Sequence, residues 1–178
     1  MKDVAAYIFT SGTTGLPKAA LVDHAKLVKG SFAGHFLCFN FKTKDRLYMT
    51  LPLYHSTGLV LGWAASLRAG CANIIKPKFS ASEFWNDVKK YKANKFIYVG
   101  ELCRYLMNLP ASETDKSNSI VQISGNGLRP DIWDSFQKRF NIKKIVEIYG
   151  ATEAVGMTVN SFGRSGMIGR KRSDSTII

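Results

Sequence analysis

The stretch YIFTSGTTGLPKAAL, residues 7–21, sets a loop of threonine, serine and glycine between two apolar runs, with a single lysine, Lys18, at its far end. Apolar, β-prone residues on both sides make it a strand–loop–strand. Gly12 and Gly15 permit positive φ angles and close approach of a ligand to the backbone. Successive N–H groups in such a turn form a concavity for anions. Thr10, Ser11, Thr13 and Thr14 add hydroxyl donors, and Lys18 adds a point charge. Together these groups suit a phosphate. The nucleotide P-loop, G-x-x-x-x-G-K-[ST], is absent, because Pro17 precedes Lys18 and Ala19 follows it. That P-loop also runs into a helix, whereas this loop runs into a second strand. A glycine-rich hairpin turn without a ligand is the plain alternative.

Outward from this loop, short β-prone runs alternate with longer helical patterns. The spacing predicts strands at 6–10, 19–22, 46–50, 72–75, 96–99, 120–124 and 144–149, and helices at 25–36, 59–67, 81–91, 102–108 and 130–140. Ser80 and Glu83 form a capping-box pattern ahead of the third helix. The polar segment 110–118 reads as a surface loop. Alternation of this kind implies an α/β fold, a mostly parallel sheet flanked by helices. In open sheets of that class, ligands collect beyond the carboxyl ends of the strands. Four unusual stretches follow predicted strands directly: TLPLYHSTG (50–58), GELCRYL (100–106), SGNGLRP (124–130) and YGATE (149–153). Parallel strands would bring all four to one edge.

Composition narrows the classes further. A chain of 178 residues, 46% hydrophobic and 21% charged, is long enough for one domain with a real core. No apolar run reaches the ~18 residues of a membrane-spanning helix, and the opening MKDVAAYIF lacks the features of a signal peptide. Cys38, Cys71 and Cys103 stand far apart and are odd in number, which suggests buried, reduced thiols rather than a disulfide framework or a zinc site. The net charge of +12 fits either a solvated surface or contact with anionic lipid or an anionic substrate. The basic residues are scattered and no nucleic-acid-binding motif occurs, which argues against a nucleic-acid partner. The end of the chain, with Arg164, Arg170, Lys171 and Arg172 among Gly and Ser, reads as loop or frayed terminus.

The stretch YIFTSGTTGLPKAA resembles the phosphate-binding signature of the adenylate-forming enzymes, and YGATE resembles their second signature. LPLYHSTG (51–58), GELCRYLMN (100–108) and GNGLRPDIW (125–133) narrow the resemblance to the fatty acid transport proteins, or very-long-chain acyl-CoA synthetases. The similarity runs from about residue 5 to residue 160. On this reading 1–160 is part of an AMP-binding (adenylation) domain and 161–178 a basic, loop-like tail.

The resemblance implies a two-step reaction in which a long- or very-long-chain fatty acid and ATP give an acyl-adenylate, and coenzyme A then displaces AMP. It implies that Thr10, Ser11, Gly12, Thr13, Thr14, Gly15 and Lys18 hold the ATP phosphates. Glu153 would hold Mg²⁺ and Thr152 would bond the α-phosphate, so that Thr152, Glu153 and Lys18 carry the catalysis. Tyr149, with Gly150 and Ala151, would stack on adenine, with Gly125, Asn126 and Gly127 as the other wall. Plain alternatives stand beside two of these: a core aromatic for Tyr149 and a helix-start acid for Glu153. His55 would line the acyl path, the alternative being a half-buried histidine after a strand. Arg104 and Arg129 follow strand ends and face either a phosphate or solvent. His24 and His35 read as structural or exposed, and Trp63, Trp85 and Trp133 as packing residues.

Three features of the family have no matching position here: an Asp for the ribose hydroxyls, a hinge Arg, and a catalytic Lys on a small C-terminal domain. The family's membrane-anchoring sequence is likewise unmatched. The expectation is therefore a central piece of a larger enzyme, inactive alone, acting at a cytoplasmic or membrane face (endoplasmic reticulum or plasma membrane). Two other readings stay open, a nucleotide-binding remnant without catalysis and a ligase for another carboxylic acid. Acyl chain length and oligomeric state are not legible.

Overall fold

A computed structural model of the chain describes residues 3–10, 15–152 and 157–169. Strands β1 (Val4–Thr10) and β2 (Lys18–Asp23) form an antiparallel two-stranded sheet of their own, with Tyr7 opposite Leu21 and Thr10 opposite Lys18. The opening motif is thus a hairpin, as its flanking runs imply, and these two strands stand outside the parallel sheet. Helix α1 (His24–Phe32) follows without a break. The Asp23 carboxylate caps it by accepting the Lys26 N–H at 2.6 Å, satisfying one of the first-turn donors.

The main sheet has six strands. In spatial order they are β4 (Ala72–Ile75), β3 (Arg46–Met49), β5 (Lys95–Val99), β6 (Gln122–Asn126), β7 (Lys144–Gly150) and β8 (Met157–Asn160). The first five run parallel and β8 runs antiparallel on β7, an edge the sequence pattern does not reveal. The carboxyl ends of β3, β5, β6 and β7 therefore share one edge, and the four motif stretches emerge there together.

Helices α3 (Ala81–Tyr91), α4 (Gly100–Met107) and α5 (Pro130–Arg139) follow strands β4, β5 and β6. Phe84 of α3 packs edge-on against Tyr48 and Phe96 of the sheet, with ring centroids 5.1 and 4.7 Å apart. Trp133 and Phe136 of α5 and the following Phe140 are fully buried. Each such aromatic contributes about 1.5–3 kcal/mol by leaving water, so these helices are held mainly by their apolar faces. Trp85 packs on Phe140 with centroids 4.7 Å apart, the packing role its pattern suggests.

The opposite face departs from expectation. The predicted helix 25–36 is α-helical only to Phe32 and continues as a π-helix over Ala33–Phe39. The predicted helix 59–67 is a π-helix over Thr57–Ala64 that leads into α2 (Ala65–Ala69). The two segments cross at glycine. A Cβ on Gly34 would lie 2.7 Å from Ala65 Cβ and 2.8 Å from the Leu61 carbonyl, so the backbones approach more closely than side chains allow. A pattern read at 3.6 residues per turn does not register the wider turn.

Two smaller expectations also fail. Ser80 sits at the N-terminus of α3 but makes no capping bond, because its hydroxyl is bonded to Ser82 Oγ at 3.1 Å. The capping box occurs instead at Ser112 and Asp115, on a short 3₁₀ turn (Glu113–Lys116) inside the predicted loop. Strand β6 is shifted by two residues from the predicted 120–124, so Gly125 and Asn126 belong to the strand itself. All three cysteines are buried and unpaired, and burial pushes the Cys38 thiol up to about 12 and Cys71 up to about 11. Among the described residues no helix is long and apolar enough to cross a membrane.

Candidate active site

Thr152 is a meeting point at the carboxyl edge of the sheet. Its hydroxyl is hydrogen-bonded to Ser56 Oγ at 3.0 Å, and its carbonyl accepts a bond from Lys26 Nζ at 2.6 Å. Ser56 belongs to the stretch after β3 and Lys26 to the first turn of α1. Three segments far apart in sequence thus converge on one residue of YGATE. Lys26 also carries a link to the hairpin, since α1 begins at the residue after β2.

A second construction lies alongside, between β5, β6 and β7. Gly125 is opposite Tyr98 on one side and Glu147 on the other. A Cβ on Gly125 would stand 2.0 Å from the Tyr98 carbonyl, and one on Gly100 would stand 1.7 Å from the Gly127 carbonyl. Only glycine lets the turn after β6 settle so close to β5 and the start of α4. Gly127 takes φ +81°, which closes the turn. The Glu147 carboxylate, 7% exposed, accepts the N–H groups of Gly127 and of Leu128, the latter at 3.3 Å, and the Tyr98 hydroxyl at 2.6 Å. Burial pushes this carboxyl above the ordinary carboxylate range, against the three donors, which favour its charged form. Tyr149, two residues on, is 60% exposed, so it is not a core aromatic.

The structure therefore brings Thr152, Gly150, Ala151 and Tyr149 to the edge that also holds Gly125, Asn126 and Gly127. His55 is exposed rather than half-buried and stands beside Ser56; its Nδ1 accepts the Thr57 N–H at 3.4 Å. Thr10, Gly15 and Lys18 flank the hairpin loop, with Lys18 exposed. Ser11, Gly12, Thr13, Thr14 and Glu153 lie outside the described residues. Arg104 is paired with Glu101 at 2.5 Å and Arg129 with Asp131 at 2.8 Å, both exposed. Among the described residues no cluster of three or more His, Cys, Asp or Glu forms a metal cage. Ser56, Lys26 and Glu147 escape a sequence reading. Ser56 sits inside a motif stretch and its hydroxyl was open to notice, whereas Lys26 and Glu147 act through pairings that only the fold supplies.

The model of a family described as AMP-binding enzyme matches residues 1–177. The chain is 46% identical over 170 residues to long-chain fatty acid transport protein 6 of Mus musculus, covering 96% of this chain and 27% of that protein. It is 42% identical over 161 residues to a medium/long-chain-fatty-acid–CoA ligase of Mycobacterium tuberculosis, covering 90% of this chain and 27% of that one. The chain thus spans about a quarter of the length of the curated relatives it matches. Among solved structures, ATP-bound MatB from Rhodopseudomonas palustris superposes with a TM-score of 0.82 at 26% identity, over 94% of this chain and 34% of that one. A malonyl-CoA ligase complex with methylmalonyl-CoA and AMP superposes with a TM-score of 0.78 at 25% identity, over 94% and 38%.

Proposed function

The chain belongs to the AMP-binding enzyme family, and on that premise we propose that its parent protein activates long- or very-long-chain fatty acids to acyl-CoA. The observation that carries this reading is the convergence at Thr152, where Ser56 and Lys26 meet YGATE beside the Gly125–Gly127 turn. In the first step a fatty carboxylate oxygen attacks the α-phosphorus of ATP, and the bond to pyrophosphate breaks. In the second the CoA sulfur attacks the acyl carbon, and the bond to AMP breaks. Such chemistry asks for positioning and neutralisation of charge more than for covalent help. Thr10, Ser11, Gly12, Thr13, Thr14, Gly15 and Lys18 would cradle the phosphates. Tyr149, Gly150 and Ala151 on one side, and Gly125, Asn126 and Gly127 on the other, would enclose the adenine. Thr152 would donate to the α-phosphate, with Ser56 fixing its hydroxyl. His55, next to Ser56, would line the acyl path.

Mg²⁺ is bound in proteins by one or two carboxylates together with substrate phosphates, rather than by a complete protein cage. A lone carboxylate at Glu153, directly after Thr152, fits that donor set and would help neutralise the phosphate charge. The relatives named for fatty acid transport and fatty-acid–CoA ligation support a fatty acid as the substrate, and the neighbours with ATP and methylmalonyl-CoA bound support ATP and CoA.

The test is ATP–pyrophosphate exchange by the full-length parent with a panel of fatty acids. Exchange dependent on a long-chain acid is expected. Lys18→Ala should weaken ATP binding by about 10- to 150-fold, the equivalent of losing one charge-assisted bond of roughly 1.5–3 kcal/mol. ATP binding without exchange for any acid would leave a nucleotide-binding module, and exchange only with short or aromatic acids would reassign the substrate.

We infer that the parent also touches an anionic membrane surface, because the charge is lopsided. Lys42, Lys44 and Arg46 lead into β3, Lys89, Lys90 and Lys92 lead into β5, and Lys143 and Lys144 open β7. All eight are exposed on the amino edge of the sheet, and none stands in an ion pair among the described residues. Lysine-rich point charges spread over an edge suit a diffuse anionic surface. Binding to phosphatidylcholine vesicles containing phosphatidylserine should exceed binding to phosphatidylcholine alone. Each Lys→Gln change at 42, 44, 143 or 144 should reduce that excess by about fivefold, from about 1 kcal/mol per lysine. An excess unchanged in the quadruple variant would remove this edge as the contact.

A further inference from the structure

We propose that Glu147 is a positioning residue for nucleotide binding: its carboxylate fixes the turn after β6 against β7, so that the turn and Tyr149 keep the separation a purine needs between them. This rests on the reading above, in which Tyr149 and the Gly125–Gly127 turn enclose the adenine. Three donors converge on one buried carboxylate. Oε1 accepts the N–H groups of Gly127 and Leu128, and Oε2 accepts the Tyr98 hydroxyl at 2.6 Å. No β-ladder bond holds residues 127 and 128, since the pairing of β6 with β7 ends at Gly125 opposite Glu147. The carboxylate therefore takes over where the ladder stops.

Strand periodicity supplies the link to the ligand. Residues two apart on a strand project from the same face, so Tyr149 leaves β7 on the face where Glu147 holds the turn. Glu147 is buried, Tyr149 is exposed, and the single residue between them, Ile148, is regular strand. A displacement of the turn is thus a displacement relative to Tyr149. Gly100 closes the turn from beneath, leaving no room for a side chain, so Glu147 sets its position from the β7 side.

A carboxylate is the side chain that meets these three donors at once. An amide keeps one acceptor oxygen for the two N–H groups and turns its nitrogen toward Tyr98, whose hydroxyl can then accept. Alanine takes the acceptor from the buried Leu128 N–H and Tyr98 hydroxyl and from the part-buried Gly127 N–H.

The experiment is steady-state ATP–pyrophosphate exchange by the full-length parent. Glu147→Ala should raise KM for ATP by about tenfold while KM for pyrophosphate moves less than twofold, since on the proposed reading pyrophosphate is held away from the adenine walls, by the hairpin loop and the Glu153 metal. Glu147→Gln should recover most of the loss. Tyr98→Phe, which removes one hydroxyl and keeps the ring, should raise KM for ATP by a few-fold and serves if Glu147→Ala does not fold. Equal changes in both KM values, or a lowered Tm with both KM values intact, would overturn the positioning role. Tyr149→Ala tests the underlying reading separately. If it leaves KM for ATP unchanged, the adenine-wall reading falls and the positioning role with it. If it raises KM for ATP while Glu147→Ala and Tyr98→Phe do not, the positioning role alone falls.

Discussion

Glu153→Gln in the full-length parent is expected to slow ATP–pyrophosphate exchange about a hundredfold at ordinary Mg²⁺, with the fold intact. The change removes one negative charge and replaces one oxygen by an NH₂ group, at nearly constant volume. A metal-bound carboxylate loses most of its attraction in that exchange, and metal neutralisation of phosphoryl charge is worth several kcal/mol, so about 10² in rate is the natural scale. Two further readouts separate a metal role from a structural one. Raised Mg²⁺ should restore part of the rate, because a weakened site fills at higher concentration. Thermal unfolding without ligands should be unchanged, because a residue needed for the ion rather than for packing leaves the empty protein alone. Normal exchange at ordinary Mg²⁺ would sink the assignment and return Glu153 to the role of a helix-start acid.

What the sequence makes legible follows from which interactions are local. The strand at 72–75 and the helix at 81–91 are found at their predicted bounds, because each is bounded by turn residues and has an unambiguous period. The edge shared by the motif stretches is legible too, since parallel strands leave no choice about where their carboxyl ends lie. The π-helices at Ala33–Phe39 and Thr57–Ala64 are not legible, for they depend on two backbones meeting at Gly34. The boundary of β6 is missed for a related reason. Gly125 and Asn126 have low strand propensity, and their place in the sheet is imposed by Tyr98 and Glu147 on either side.

The same distinction divides the candidate site. Tyr149 and Thr152 stand in a motif and can be named from it. Lys26 cannot, because its partner is the Thr152 carbonyl, 126 positions away. Nor can Glu147, which in sequence is one acid in an apolar strand and in the fold is the acceptor for three donors from β5 and the turn.

Gly125→Ala is expected to be among the most damaging single-methyl changes in the chain, lowering stability by about 3–5 kcal/mol. The added Cβ would stand 2.0 Å from the Tyr98 carbonyl oxygen, 2.8 Å from its carbonyl carbon and 2.8 Å from Tyr98 Cγ. Two of those atoms are backbone of β5, which is itself paired with β3 on its other side. To make room, β5 and β6 must separate, and that breaks ladder bonds in the centre of the sheet and moves the turn held by Glu147. Gly127→Ala offers the comparison. Its φ of +81° makes an alanine strained, but the nearest atom to its Cβ is Gly100 N at 3.7 Å. Strain alone costs about 1–2 kcal/mol. The order of damage, Gly125 well above Gly127, is therefore set by the clash with β5 and not by backbone conformation. Thermal unfolding of the full-length parent with each change measures it, and KM for ATP shows whether the site moves with the fold. Equal losses of stability for the two variants, or a Gly125→Ala protein as stable as the original, would mean that the sheet yields at this point and that the close approach of β6 to Tyr98 is not a constraint on the fold.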